Sequence, residues 1–361
     1  MKIALIGEYS SLHKYLKDGL QKNGISDVTL FSSGDGWKKI NGYDVLLPSF
    51  NGNFFTKIKN IHKLKKIVKK VKNYDVVQLI SINIFPVFIM KKLFRILKKN
   101  NRIIAVAAAG GCYSYAKAFL NGKLEYNTYK YNEDSLKSYT GKGLKAYLRR
   151  KNDLYIEKNV DVIIPSLYEY SLEHNTENVS KIVPFPINID EIKYNDNIVN
   201  EKIVFFHGLN NEKSKGTKFI VEAFSKLKKE YGDKIEIIVD GHLPFDEYKR
   251  IIEKTNVIVD QCCTYGYGIN ACISGAMGKI VLTGCRRETL DGFGFDSSPF
   301  ISLKPDSKFI YDICSRLIDD YDYFQGGKKS RMYVENNHNS KNIANEYLNI
   351  WESYLLKKNQ N

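Results

Sequence analysis

Short apolar runs alternate with helix-length segments along the whole chain. In the first half they are KIALIG (2–7), VTLF (28–31), YDVLLP (43–48), VVQLIS (76–81), RIIAVAAAGG (102–111), VDVIIPS (160–166) and KIVPFP (181–186). The second half gives KIVFFHG (202–208), KIEIIVDG (234–241), NVIVD (256–260) and KIVLTG (279–284). The runs are continuously apolar rather than alternating, so their strands are covered on both faces. That predicts α/β architecture with parallel sheets and crossover helices. The pattern breaks at Pro184, Pro186 and the polar stretch 187–201, and 361 residues accommodate two cores. The expected organisation is two doubly wound, Rossmann-like domains, 1–186 and 202–335, with 187–201 as linker and 336–361 as a closing helix. In 341–358, Ile343, Ala344, Tyr347, Leu348, Trp351, Tyr354 and Leu355 recur at helical spacing, so that helix needs an apolar surface to dock on.

Charge changes this picture because it is unevenly placed. Residues 1–186 hold 31 of the 55 Lys and Arg but only 15 of the 40 Asp and Glu. The excess is densest in 57–75 and 90–102. Solvated helix faces account for such runs; so does an anionic partner. In 85–97, Phe85, Phe88, Ile89, Leu93, Phe94, Ile96 and Leu97 interleave with Lys91, Lys92 and Arg95. That mixture suits an anionic membrane surface and argues against nucleic acid, which needs base-reading or stacking groups as well. No signal segment opens the sequence, and the apolar stretch 76–90 is too short to span a bilayer. The expectation is a cytoplasmic protein, peripheral to the inner face of the membrane. The six cysteines show no ligand spacing, which predicts reduced, buried thiols and no metal site.

Candidate chemistry lies at the strand ends. Three second-half strands end in His207-Gly208, Asp240-Gly241 and Thr283-Gly284; the fourth runs into Tyr265-Gly266-Tyr267-Gly268. Ligands of open parallel sheets bind outside the carboxyl ends of the strands, where glycine lets backbone approach them. A helix starting near Ile269 and Asn270 aims free N–H groups and its positive dipole end at an anion. The segment 207–224 repeats the arrangement, with Lys213 and Lys215 before Gly216; it is not a P-loop, since GxxxxGK[ST] is absent. Gly266, Gly268 and Ala271 also fit GxGxxA, with Glu288 twenty residues past Gly268, so a dinucleotide-dependent enzyme is an alternative. Against it, five residues separate Asp260 from Gly266, and Thr283-Gly284 stand where the acid should close the next strand.

The stretches FFHGLNNEKSKGTKFIVEAF, EYKRIIEKTNVIVDQ (247–261), YGYGINACISGAMGKIVLTG and RMYVENNHNSKNIANEYLNIW (331–351) together resemble the GT-B glycosyltransferases, in particular the family-4 type group that builds bacterial surface polysaccharides. The first half is similar in outline, through GEYS (7–10), AAAGG (107–111), DVIIPS (161–166) and PFPINID (184–190). The resemblance implies that the closing helix crosses back onto the first domain. It also implies a nucleoside-diphosphate-sugar donor on the second domain, a glycan or lipid-linked acceptor on the first, and no cofactor or metal. Retention at the anomeric carbon follows from the likeness alone. By position in that family, Lys215 neutralises the donor diphosphate and Tyr265–Ile269 offer backbone N–H groups to it. Gly208, Asn211, Gly241, Tyr267, Asn270 and Glu288 complete the expected donor set. On the acceptor side the candidates are Gly7, Glu8, His13, Gly110 and Gly111, with Glu8 and His13 joining Lys215 as candidates for catalysis.

The sequence also departs from the family pattern. The paired glutamates fall on Tyr265 and Ile273, the phosphate-binding arginine on Asn211, and the acceptor-domain histidine is absent. A catalytically silent scaffold that binds nucleotide or glycan and assists a partner is therefore the second reading.

Overall fold

The computed structural model describes residues 1–243, 245–320, 324 and 326–360. Among them, eleven strands form two all-parallel sheets. The first sheet contains β1 (Ile3–Ile6), β2 (Val28–Ser32), β3 (Val45–Leu46), β4 (Val76–Leu79), β5 (Ile103–Ala108) and β6 (Val162–Pro165), in the order β3-β2-β1-β4-β5-β6. The second contains β7 (Ile203–Leu209), β8 (Ile235–Gly241), β9 (Val257–Val259), β10 (Ile280–Thr283) and β11 (Ile301–Ser302), in the order β11-β10-β9-β7-β8. Strands β1, β4, β5, β6, β9 and β10 are buried along their whole length, which is why their sequences run apolar without alternation. Each order reverses direction once, between β1 and β4 in the first sheet and between β7 and β9 in the second. At such a switch point the neighbouring loops diverge and leave a crevice at the carboxyl rim.

The chain folds as two compact units. One comprises residues 1–121, 134–186 and the segment from Ser340 on; the other comprises 122–133 and 187–339. Within the first unit, the helix Ser340–Asn359 packs along the helix Leu12–Lys22. Its Ile343, Ala344, Tyr347 and Trp351 join Ile3, Leu5, Val76, Ile103 and Val162 in one core. Trp351 Nε1 also donates to Gln78 Oε1 at 3.1 Å. A Cβ on Gly19 would lie 2.0 Å from the Ser340 carbonyl oxygen, so the two helices meet there backbone to side.

Three boundaries differ from the sequence reading. Segment 187–201 is folded into the second unit rather than free: Ile187 N–H donates to His338 O at 2.7 Å, and the Arg331 guanidinium donates to the carbonyls of Ile192 at 2.7 Å and Ala276 at 3.0 Å. The helix expected from 336 is two helices, Gly327–His338 in the second unit and Ser340–Asn359 in the first. Segment 122–133 leaves the first half of the sequence to join the second unit. Of the expected strands, 181–186 forms none, because Pro184 and Pro186 have no N–H to give a ladder. The two-residue β11 is an edge strand too short to show as an apolar run.

Trp351 is fully buried and hydrogen-bonded. Trp351→Ala is expected to cost about 3–5 kcal/mol of stability. A urea titration would check this, and a loss below about 1 kcal/mol would mean the helix is not an integral part of that core.

Candidate active site at the rim of the second sheet

The switch point of the second sheet lies between β7 and β9, and a charge sits beyond each strand. After β7 the chain makes a single helical turn, Glu212–Lys215, and passes through Gly216 into the helix Thr217–Tyr231. After β9 comes Asp260, which opens the loop to Gly268 and the helix Ile269–Ala276. Lys215 Nζ donates to Asp260 Oδ1 at 2.8 Å, and both residues are buried. A buried carboxylate at the end of a central strand needs such a partner. The contact is reinforced by backbone: Cys262 N–H donates to Lys215 O at 3.0 Å. Gly216 makes this approach possible. Its φ is +79°, and a Cβ there would lie 2.4 Å from Cys262 Sγ and 2.7 Å from Cys263 Sγ.

His207, in β7, sits under this pair. Its Nδ1 lies 2.7 Å from Val259 O, which can only accept, so Nδ1 carries the proton and Nε2 accepts from the Thr217 hydroxyl at 2.8 Å. Burial, with the Lys215 charge adding to it, pushes the imidazole down to about 4.

The glycine loop is braced from inside. Gln261 Nε2 and Thr264 Oγ1 donate to the Gly266 carbonyl at 3.0 and 2.8 Å, and Arg286 N–H donates to Tyr265 O at 2.9 Å. Tyr267 points into the core, its hydroxyl 2.6 Å from Tyr333 Oη and 3.0 Å from His338 Nε2, its ring against Phe293 and Phe300. It anchors the loop and contributes no side chain to a ligand. Gly268 differs from its neighbours. No atom lies within 4 Å of where its Cβ would be, and no side chain caps the helix that follows. The first N–H groups of Ile269–Ala276 have no partner within the helix.

Tyr265 and Glu288 are brought together by a residue that sequence reasoning missed. Arg286 stacks over the Tyr265 ring at 4.2 Å, donates to both carboxylate oxygens of Glu288 at 3.1 and 3.3 Å, and reaches Glu125 Oε2 at 3.0 Å. Burial alone would lower the guanidinium's pKa, but its hydrogen bonds to Glu125, Tyr126 and Glu288 hold it above the usual value. Glu125 N–H donates to Tyr265 Oη at 2.9 Å, and the Tyr126 ring packs on Tyr265 at 5.2 Å. Glu125 and Tyr126 gave no signal, coming from a segment 140 residues upstream. Arg286 had one, as a cation directly after the Thr283-Gly284 strand end. Asp260 had a plainer one, an acid closing a buried strand.

The other expected donor residues are dispersed. Asn211 accepts from Lys215 N–H through its carbonyl at 2.9 Å, and Asn270 O accepts from Ser274 Oγ at 2.8 Å; Ile273, where the second of the paired glutamates would fall, is in the core. Gly208 lies under the Tyr248 ring, and Gly241 touches the Leu209 carbonyl. A pocket of about 320 Å³ opens beside the Lys215 turn, lined by Tyr131, Glu212, Lys213, Gly216, Thr217, Lys218 and Val221.

In the first unit, Gly7 and Glu8 follow β1 at that sheet's own switch point. Glu8 is buried and accepts from the N–H groups of His13 at 3.3 Å and Lys14 at 2.9 Å, capping the helix Leu12–Lys22. Burial raises its carboxyl to about 7 despite those two bonds. His13, the other candidate for catalysis on this side, is fully buried: it turns inward one residue into the helix, and its Nδ1 donates to Gly7 O at 2.8 Å. Burial pushes it down to about 3, so it is neutral near pH 7. Gly110 lies under the Tyr9 ring, and Gly111 O accepts from Tyr139 Oη at 2.6 Å. All six cysteines are free and buried.

Sucrose-phosphate synthase from Thermosynechococcus elongatus superposes with a TM-score of 0.64 at 12% identity, over 99% of this chain and 100% of that one. HepE from Anabaena, solved with UDP and glucose, gives 0.61 at 9% identity, over 98% and 100%. The fold is that of the GT-B glycosyltransferases. A Listeria monocytogenes protein described as a UDP-N-acetylglucosamine 2-epimerase also matches, with 0.56 at 11% identity over 99% and 98%. No protein-family model and no curated sequence matches the chain.

The buried His207 gives a pH signature. The unfolded imidazole takes a proton below about 6.5, while the folded one resists until about 4, so stability should fall as pH drops through that window. The slope is about 1.4 kcal/mol per pH unit. His207→Asn keeps a donor for Val259 O and removes the titration. Between pH 7 and 5, the stability gap between wild type and variant should narrow by about 2 kcal/mol. A gap that stays constant would contradict a neutral His207.

Proposed function

We propose that this protein is a glycosyltransferase using a nucleoside-diphosphate sugar, with a lipid-linked glycan at the inner face of a membrane as acceptor, acting without a metal and with retention at the anomeric carbon. The observation that carries the reading is the switch point of the second sheet. There a buried lysine and an uncapped helix end, open above Gly268, occupy neighbouring loops. Both are suited to a diphosphate. In transfer, the bond from the anomeric carbon to the diphosphate oxygen breaks, and an acceptor hydroxyl forms the new bond and loses its proton. Charge develops on the departing diphosphate, and fixed N–H dipoles with an ammonium stabilise it more than they stabilise bound donor. Asp260 holds the ammonium in place, and a donor bearing two phosphate charges competes with that carboxylate for it. In the first unit, Glu8, with its carboxyl raised to about 7, is the proposed proton acceptor at that unit's own rim.

One observation favours the silent scaffold as a second reading. Where the resemblance places two glutamates, Ile273 is locked in the core and the hydroxyl of Tyr265 is engaged by Glu125. Transfer, epimerisation and silent binding separate in one assay, in which UDP-sugars and mixed lipid-linked acceptors are incubated with the protein. The transferase reading expects acceptor-dependent release of UDP; an altered sugar still on UDP, or donor bound without turnover, would replace it.

Lys215→Met keeps the side chain's length and removes its charge. The expected loss is on the order of 10²–10³ in kcat, larger than any rise in KM. Asp260→Asn frees the lysine and should leave donor affinity intact or improved. If both variants lost stability equally while turnover per folded molecule stayed at the wild-type value, the pair would be structural only. Gly268→Val fills the open space over the helix end and should abolish donor binding with the melting temperature unchanged.

A further inference from the structure

We propose that the first unit docks on anionic bilayers through the helix Phe54–Lys70, with Phe54 and Phe55 entering the headgroup region. The inference stands apart from the transferase reading, since it is read without donor or turnover. The sequence pointed to 85–97 as the mixed apolar and cationic segment. The structure removes most of that segment from contention: Phe85, Leu93, Phe94 and Leu97 are buried in the core, and among its large apolar side chains only Phe88 is exposed, at 70%. The preceding crossover helix behaves otherwise. Only Leu64 and Val68, one turn apart, are buried, so its first half stands clear of the core. Phe54 and Phe55 are 70% and 79% exposed, their rings edge to face at 5.9 Å, and Ile58 follows on the next turn at 39%. Asn53 caps this end, accepting from Thr56 N–H at 2.9 Å, so the two aromatics are presented on an ordered first turn.

The charge is as one-sided as the apolar surface. Lys57, Lys59, Lys63, Lys66, Lys69 and Lys70 are exposed, Lys65 is half-buried, and no acid lies on the helix. Exposed aromatics set among lysines fit a surface with phosphate headgroups above and hydrocarbon below. Position adds a second argument. A crossover helix of a parallel sheet begins at the carboxyl rim of the strand before it. Phe54 and Phe55 follow β3, and Phe88 precedes the adjoining helix Met90–Asn100, so all three lie at the rim that also carries Gly7 and Glu8. Docking there presents that rim to a membrane, where an acceptor anchored in lipid would be found.

The test is sedimentation with vesicles of phosphatidylcholine alone or containing phosphatidylglycerol. Wild type should bind only the anionic vesicles, less as salt rises from roughly 0.1 to 0.5 M. Phe54→Ser with Phe55→Ser should weaken binding at least about tenfold while the melting temperature holds, since both side chains are exposed. Lys57→Gln with Lys59→Gln and Lys63→Gln should weaken it comparably and flatten the salt dependence, which checks the surface by a second route. Equal binding to both vesicle types, or unaltered binding by the aromatic variant, would overturn the proposal. So would binding to a DNA duplex with none to vesicles, or self-association that the aromatic variant abolishes.

Discussion

A carboxylate buried beyond the end of a central strand must find a cation, and this requirement organises the second unit. Asp260 takes Lys215 from the loop of the neighbouring strand, and the two loops are then drawn together closely enough that only glycine fits at 216. From there the chain after Asp260 has one way to continue: cysteine sulfurs pack against Gly216, and the Gly266 carbonyl folds back onto Gln261 and Thr264. Tyr267 drops into the aromatic core. What emerges at the surface is Gly268 and the open end of a helix. The ion pair therefore fixes the loop and, by the same contact, places a cation in the crevice where a parallel sheet admits ligands.

The corresponding place in the first unit uses buried charge differently. Glu8 caps a helix instead of pairing with a cation; burial raises its proton affinity against the pull of those N–H bonds, and burial also keeps His13 beside it neutral. Both groups are held by backbone. The neutral imidazole, with its Nδ1 proton on Gly7 O, fixes the turn after β1.

What could be read from the sequence followed the physics of continuous burial. Ten of the strands were visible as apolar runs, six of them because they are buried along their whole length, and the rim glycines were visible because strand ends there meet backbone. The docking of 341–358 followed from an aromatic stripe with no other outlet. The failures share a cause, which is that partners distant in sequence leave no periodic trace. Segment 122–133 has no apolar repeat, yet Glu125 and Tyr126 help hold Tyr265. The inward turn of His13 depends on the Gly7 carbonyl, and Arg286 acquires meaning only when Tyr265, Glu125 and Glu288 surround it. Mixed apolar and basic composition in 85–97 could not reveal which side chains the core would take.

The open helix end beyond Gly268 is proposed to receive a diphosphate. Backbone amide NMR of the protein titrated with UDP addresses it without requiring an acceptor or a sugar. Saturable shifts are expected, concentrated on the amides of Gly268, Ile269 and Asn270. Binding that leaves those three amides unmoved while shifting others would contradict it.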